Sequence, residues 1–152
     1  MQLAYYRNNV NTFVIETKKN WVEQTPQPLP ESDSNIKVFL PASWSGDGLK
    51  LAGWQKVGSN QSAGILVYSF ERKKYEKLTD SGSNPRWLSD NRRLLFFHEG
   101  KLQIVDSLTK RVATIMEITP NGFFGFALPK DERLIYFTQA STEIDIWLSE
   151  IQ

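Results

Sequence analysis

A turn built around an aspartate recurs in this chain at a spacing of about forty residues. Ser43-Trp44-Ser45-Gly46-Asp47-Gly48 precedes the apolar run Leu49-Lys50-Leu51-Ala52-Gly53-Trp54. Arg86-Trp87-Leu88-Ser89-Asp90-Asn91 precedes Arg92-Arg93-Leu94-Leu95-Phe96-Phe97, and Phe126-Ala127-Leu128-Pro129-Lys130-Asp131-Glu132 precedes Arg133-Leu134-Ile135-Tyr136-Phe137. Asp47 and Asp90 are 43 residues apart, Asp90 and Asp131 are 41 apart. A period of this size restricts the chain to stacked arrays, because one unit cannot cover both of its own faces and must be covered by its neighbours.

Each unit has the same internal order. A first strand ends near Trp44, Trp87 or Phe126, and the aspartate turn follows. Second strands are expected over residues 49–54, 93–97 and 134–138, and third strands over 64–70, 102–106 and 144–149. Fourth strands are readable at 75–79 and 112–116. Gly58-Ser59-Asn60, Glu99-Gly100 and Thr109-Lys110 supply the turn residues that hairpins need. The N-terminal stretch fits the same order with strands at 3–7, 12–16 and 21–24, then an extended connection over 25–35. Three prolines in that connection exclude an interior strand or a helix.

No stretch carries an apolar stripe at helical spacing. Units of this length with four short strands predict a β-propeller. The expected architecture is an all-β partial propeller of about four blades with antiparallel sheets, two of them complete and four-stranded and two incomplete. It reads as a single propeller-type domain or fragment over residues 1–152, with blades near 1–30, 36–80, 84–117 and 122–152.

Composition narrows function more than it defines it. Eighteen Lys and Arg against 17 Asp and Glu leave a net charge of +1, without the basic excess of a nucleic-acid binder. Hydrophobic residues make up 40% of the chain, yet no run approaches the roughly 20 apolar residues of a membrane span. Direct membrane insertion is therefore not expected. The absence of cysteine removes disulfides, thiolate metal sites and a cysteine nucleophile together. The single histidine, His98, leaves little from which to build a metal site or general base. The first seven residues lack the pattern of a secretory leader.

Trp44-Ser45-Gly46-Asp47-Gly48, Trp87-Leu88-Ser89-Asp90-Asn91, Leu128-Pro129-Lys130-Asp131-Glu132 and the blade-closing Leu78-Thr79-Asp80 resemble the propeller repeats of the TolB-like (PD40/WD40-like) family. The resemblance covers about residues 36–152, with a weaker match over 1–24. Gly46 stands where the family pattern has proline, and Lys130 is an additional residue before the third aspartate. Residues 134–137 and 143–148 look like the last blade of such propellers attached to bacterial sensor kinases and regulators. The resemblance implies the C-terminal part of a larger propeller, a non-catalytic binding or sensing role, and a periplasmic or extracytoplasmic setting. It transfers no catalytic residue and no cofactor. The alternative it implies is the substrate-gating part of a prolyl oligopeptidase-like serine peptidase whose catalytic domain lies elsewhere.

Asp47, Asp90 and Asp131 read as turn-formers, each bonding its own backbone, rather than as a metal set. His98 reads as a turn histidine, and neither a Gly-x-Ser-x-Gly elbow nor a phosphate loop occurs. Lys18-Lys19, Arg72-Lys73-Lys74, Arg92-Arg93 and Lys110-Arg111 read as solvated hairpin tips, and the recurring tryptophans as packing between blades. The segments expected to contact a partner are residues 26–35, 81–84 and 119–124, each leading into a first strand. Within them Ser83, Asn84, Asn121, Phe123 and Phe124 are the candidate contacts, with Phe123 and Phe124 placed in a loop at one mouth of the channel. The expected partner is a protein or a small ligand. An arc of blades with two bare ends also predicts a homodimer, or pairing with the missing blades of a longer parent chain.

Overall fold

The computed structural model describes residues 2–7, 11–30, 38–57, 61–118, 123–129 and 131–139. They form four antiparallel sheets in chain order. The first contains β1 (Gln2–Arg7), β2 (Asn11–Glu16) and β3 (Gln27–Pro28). The second contains β4 (Phe39–Trp44), β5 (Lys50–Val57), β6 (Gln61–Ser69) and β7 (Lys74–Lys77). The third contains β8 (Ser83–Trp87), β9 (Arg93–His98), β10 (Lys101–Asp106) and β11 (Val112–Glu117). The fourth contains β12 (Phe123–Ala127) and β13 (Tyr136–Gln139). The expected strand over 144–149 lies outside the described residues.

One expected strand is not a strand. Trp21–Glu23 is a short 3-10 turn, and the third strand of the first sheet is Gln27–Pro28 instead. Pro28 is tolerated because β3 is an edge, paired only with β2, where a missing N–H costs nothing. Leu29 continues the edge, its N–H donating to the Thr12 carbonyl at 2.8 Å.

The cores lie between sheets rather than within them, as the two-residue period of a strand dictates. Along β5, Leu51 faces the first sheet while Ala52 faces the third. Along β6, Leu66 and Tyr68 point back, and Ile65 and Val67 point forward. On β9, Leu94 and Phe96 join Ala52, Ile65 and Val105 in the core between the second and third sheets. Leu95 on the same strand joins Leu102, Ile118 and Phe126 between the third and fourth. Each fully buried Leu, Ile or Phe contributes about 1.5–3 kcal/mol, so every inner sheet is stabilised from both sides.

The sheets are radially arranged. β4 contacts β1 and β2, β8 contacts β4, β5 and β6, and β12 contacts β8. First strands therefore converge on their predecessors, the arrangement of blades around a propeller hub. The molecule is an open partial β-propeller with two complete four-stranded blades.

Candidate functional site

The three converging first strands share a defect. The ladder between β4 and β5 slips between Pro41 and Ser43, that between β8 and β9 between Ser83 and Arg86, and that between β12 and β13 between Phe123 and Gly125. Bulges bend a strand and re-aim its side chains, and they gather at barrel rims and binding sites. Ala42, Pro85 and Phe124 hold equivalent places, two residues before Trp44, Trp87 and Phe126.

The lead-in to β8 is held rigidly. Thr79 Oγ1 accepts the Ile65 N–H at 3.0 Å and its hydroxyl donates to the Ser81 carbonyl at 2.6 Å. The Ser62 hydroxyl donates to the Gly82 carbonyl. Gly82 has φ +102°, and a Cβ there would sit 2.4 Å from the Phe96 ring, so no other residue fits without a shift. Ser83 then pairs with Phe97, and Asn84 takes a left-handed φ of 53° inside the bulge. Both are half-exposed members of β8 rather than of a loop.

β8 is also tied sideways to β4. The Trp87 N–H donates to Ser43 Oγ at 3.1 Å, and Arg86 Nη1 donates to the carbonyl of Ala42, the bulge residue. Burial pulls the Arg86 pKa down from its ordinary value, with no carboxylate among the causes. Arg86 is a functional candidate that the sequence reading passed over. The available signal was its place in the repeat, since the equivalent residues Ser43 and Gly125 are small and uncharged.

Of the other candidates, Phe123 and Phe124 belong to β12 itself and not to a preceding loop, with Phe123 paired to Gln139. The ladder claims this backbone because Phe126 docks in the core between the third and fourth sheets. Asn121 lies outside the described residues. The inner face thus brings Ser83, Asn84 and Arg86 together on one strand, next to the strand that carries Phe123 and Phe124.

The aspartates are turn-formers by geometry. Asp47 Oδ1 accepts the Ser45 hydroxyl at 2.5 Å and the Leu49 N–H at 2.9 Å, and these bonds hold its carboxyl below the ordinary carboxylate value. Asp90 Oδ1 accepts the N–H groups of Arg92 and Arg93 at 3.0 and 2.9 Å, and Asp131 Oδ1 accepts that of Arg133 at 3.3 Å. Among the described residues, no group of three or more His, Asp or Glu could hold a metal ion. His98 ends β9 with Nε2 3.7 Å from Glu99.

The basic pairs are largely matched by neighbours. Arg92 meets Asp106 at 2.6 Å, Arg93 meets Asp90 at 2.6 Å, Lys19 meets Glu16 at 3.5 Å and Lys110 meets Glu76 at 3.2 Å. Two open clefts of about 660 and 740 Å³ flank the boundary between the first and second sheets. They lie at the side of the arc and include none of the inner-strand candidates. Among the described residues, no helix is long and apolar enough to cross a membrane.

No protein-family model matches the chain, and no curated protein matches it. Solved structures do. One, described as TolB from Agrobacterium tumefaciens, superposes with a TM-score of 0.68 at 13% identity, covering 88% of this chain and 47% of that one. TolB from Acinetobacter baumannii superposes with a TM-score of 0.66 at 20% identity, covering 91% of this chain and 36% of that one. The chain spans less than half the length of either structure. Over most of its length it therefore has the fold of a TolB-like β-propeller.

Proposed function

We propose that the chain is a non-catalytic propeller module that binds a protein or peptide at its inner face. The observation that carries this reading is the convergence of three bulged first strands, one of them with an anchored lead-in that fixes Ser83 and Asn84. A rigid scaffold lets a few side chains at strand entrances set specificity without reorganising on binding. The likeness to TolB structures supports a propeller of this kind, and the extracytoplasmic setting that the repeat motifs imply by resemblance is part of the same proposal.

The same reading proposes that the end sheets are covered by further blades from a second copy. Leu3, Leu134, Tyr136 and Phe137 are exposed, and apolar groups on bare sheet faces favour association.

The test is to pan random linear peptides against the purified chain and map selected binders by amide hydrogen exchange. Protection centred on residues 81–86 and 123–127 is the expected result. Protection confined to the outer strands β7 and β11 would overturn it. Hydrolysis of bound peptides by the chain would overturn the non-catalytic assignment.

A further inference from the structure

Arg86 is a half-buried cation on the second of the three inner strands. Among the described residues it forms no ion pair, whereas Arg92, Arg93, Lys101 and Lys110 each meet a carboxylate. Its guanidinium has five N–H donors in a planar fork that matches two carboxylate oxygens. One donor is committed, to the Ala42 carbonyl. The repeat does not require the charge, because Ser43 and Gly125 fill the same place in the neighbouring units. A cation withdrawn from water without a counter-charge carries a desolvation cost that a bound anion would offset.

Two further features specify the ligand. The segment is immobilised by the Ser62, Thr79 and Gly82 contacts, so the charge sits at a fixed place rather than on a mobile tip. Among the described residues β8 has a ladder partner on one side only. Its other edge spends the Trp87 N–H on Ser43 Oγ and has no N–H at Pro85, which leaves the half-exposed strand entrance at Ser83 and Asn84 as the part nearest Arg86 that an extended chain could meet. Asn84, two residues earlier on the same strand, is half-exposed and takes a left-handed φ of 53°.

We propose that Arg86, with Asn84 on the same strand, is the recognition point for a carboxylate carried by an extended peptide at the inner face. This rests on the inner-face binding reading above and names the chemistry it selects.

The test uses the full chain, labelled with nitrogen-15, and follows the Arg86 Nε–Hε signal. Short terminally blocked peptides differing only in a central Glu or Gln are titrated, alongside acetate and inorganic phosphate. The Glu peptide and acetate are expected to shift the Arg86 signal saturably. Binding of the Gln peptide should be at least about 5-fold weaker, as should binding of the Glu peptide to the Arg86→Lys variant, which keeps the charge and loses the fork. Should that variant fail to fold, the titrations of the unmodified chain decide the matter. Equal binding of Glu and Gln peptides at residues 81–86 would overturn the carboxylate assignment and leave inner-face binding standing. A response to phosphate with none to either carboxylate would overturn the assignment as well. An Arg86 signal that no probe moves, with peptides bound elsewhere on the chain, would overturn both.

Discussion

Glu132 and Ser89, 43 residues apart, join the first turns of two successive sheets. Glu132 Oε1 accepts the Ser89 backbone N–H, and Oε2 accepts the Ser89 hydroxyl at 3.0 Å. One unit earlier Asn91 Oδ1 accepts the Asp47 N–H at 3.1 Å, so the residue after the turn aspartate reaches back both times. Gly48, Asn91 and Glu132 all take left-handed conformations there, with φ of 73°, 55° and 52°. For glutamate that conformation costs about 1–2 kcal/mol, which the double hydrogen bond to Ser89 offsets.

This clasp predicts a measurable coupling. Glu132→Ala keeps the left-handed strain and loses the bonds, so urea unfolding should show a loss of about 1 kcal/mol. A double-mutant cycle with Ser89→Ala should return a coupling of at least about 0.5 kcal/mol. Additive behaviour of the two substitutions would show that the contact does no more than fill the turn.

Glycines in similar backbone conformations should differ sharply on replacement. At Gly64, φ is +112° and a Cβ would lie 1.9 Å from the Thr79 carbonyl oxygen, a clash with backbone that cannot swing aside. At Gly48, φ is +73° and nothing lies within 4 Å. Gly64→Ala should therefore cost about 3 kcal/mol or more, or abolish folding, while Gly48→Ala costs about 1 kcal/mol. Thermal melts of the two variants decide it, and comparable losses would contradict the packing argument.

Phe96 marks the core between the complete sheets, at 1% exposed, with Leu94 and Trp87 beside it. Phe96→Ala should cost about 3–5 kcal/mol, whereas Ile115→Ala, on a side chain 46% exposed, should stay within about 0.5 kcal/mol. If denaturation midpoints moved equally, burial between sheets would not be what stabilises the arc.

Acid should weaken the third sheet through Asp106. Its hydrogen bond to Arg92 comes first, then backbone bonds from Thr109 and Leu108, and together they depress its pKa from 3.8 to about 2. A carboxylate with a depressed folded value contributes stability that is complete above about pH 4 and is lost as pH falls through the folded value. The urea midpoint should thus decline between pH 4 and pH 2, and Asp106→Asn should flatten that decline. Because Arg92 is exposed and Asp106 only half-buried, the effect should also shrink as salt is added.

Much of the fold was legible before any coordinates. The unbroken apolar run Leu94-Leu95-Phe96-Phe97 announces a strand covered on both faces, and Asp90-Asn91 and Glu99-Gly100 announce the turns around it. Glu99 and Gly100, with φ of 45° and 74°, make the two-residue hairpin their types suggest. β3 was hidden because a two-residue strand carries no period, and its place at 27–28 is decided by its pairing with Phe13 and Val14 of β2 and by the Thr12 carbonyl, which accepts the Leu29 N–H. Trp21–Glu23 has the composition of a strand, yet it turns instead.

Sequence alone determined the repeat, the strand order within a blade and the role of each turn aspartate, because those depend on interactions between residues close along the chain. Tertiary structure alone decided that Glu132 clasps Ser89, that three inner strands are bulged in step, and that Arg86 spends one donor on Ala42 and has no carboxylate partner among the described residues. These contacts join residues one whole unit apart, and their energies exist only once neighbouring blades have docked and excluded water from the space between them.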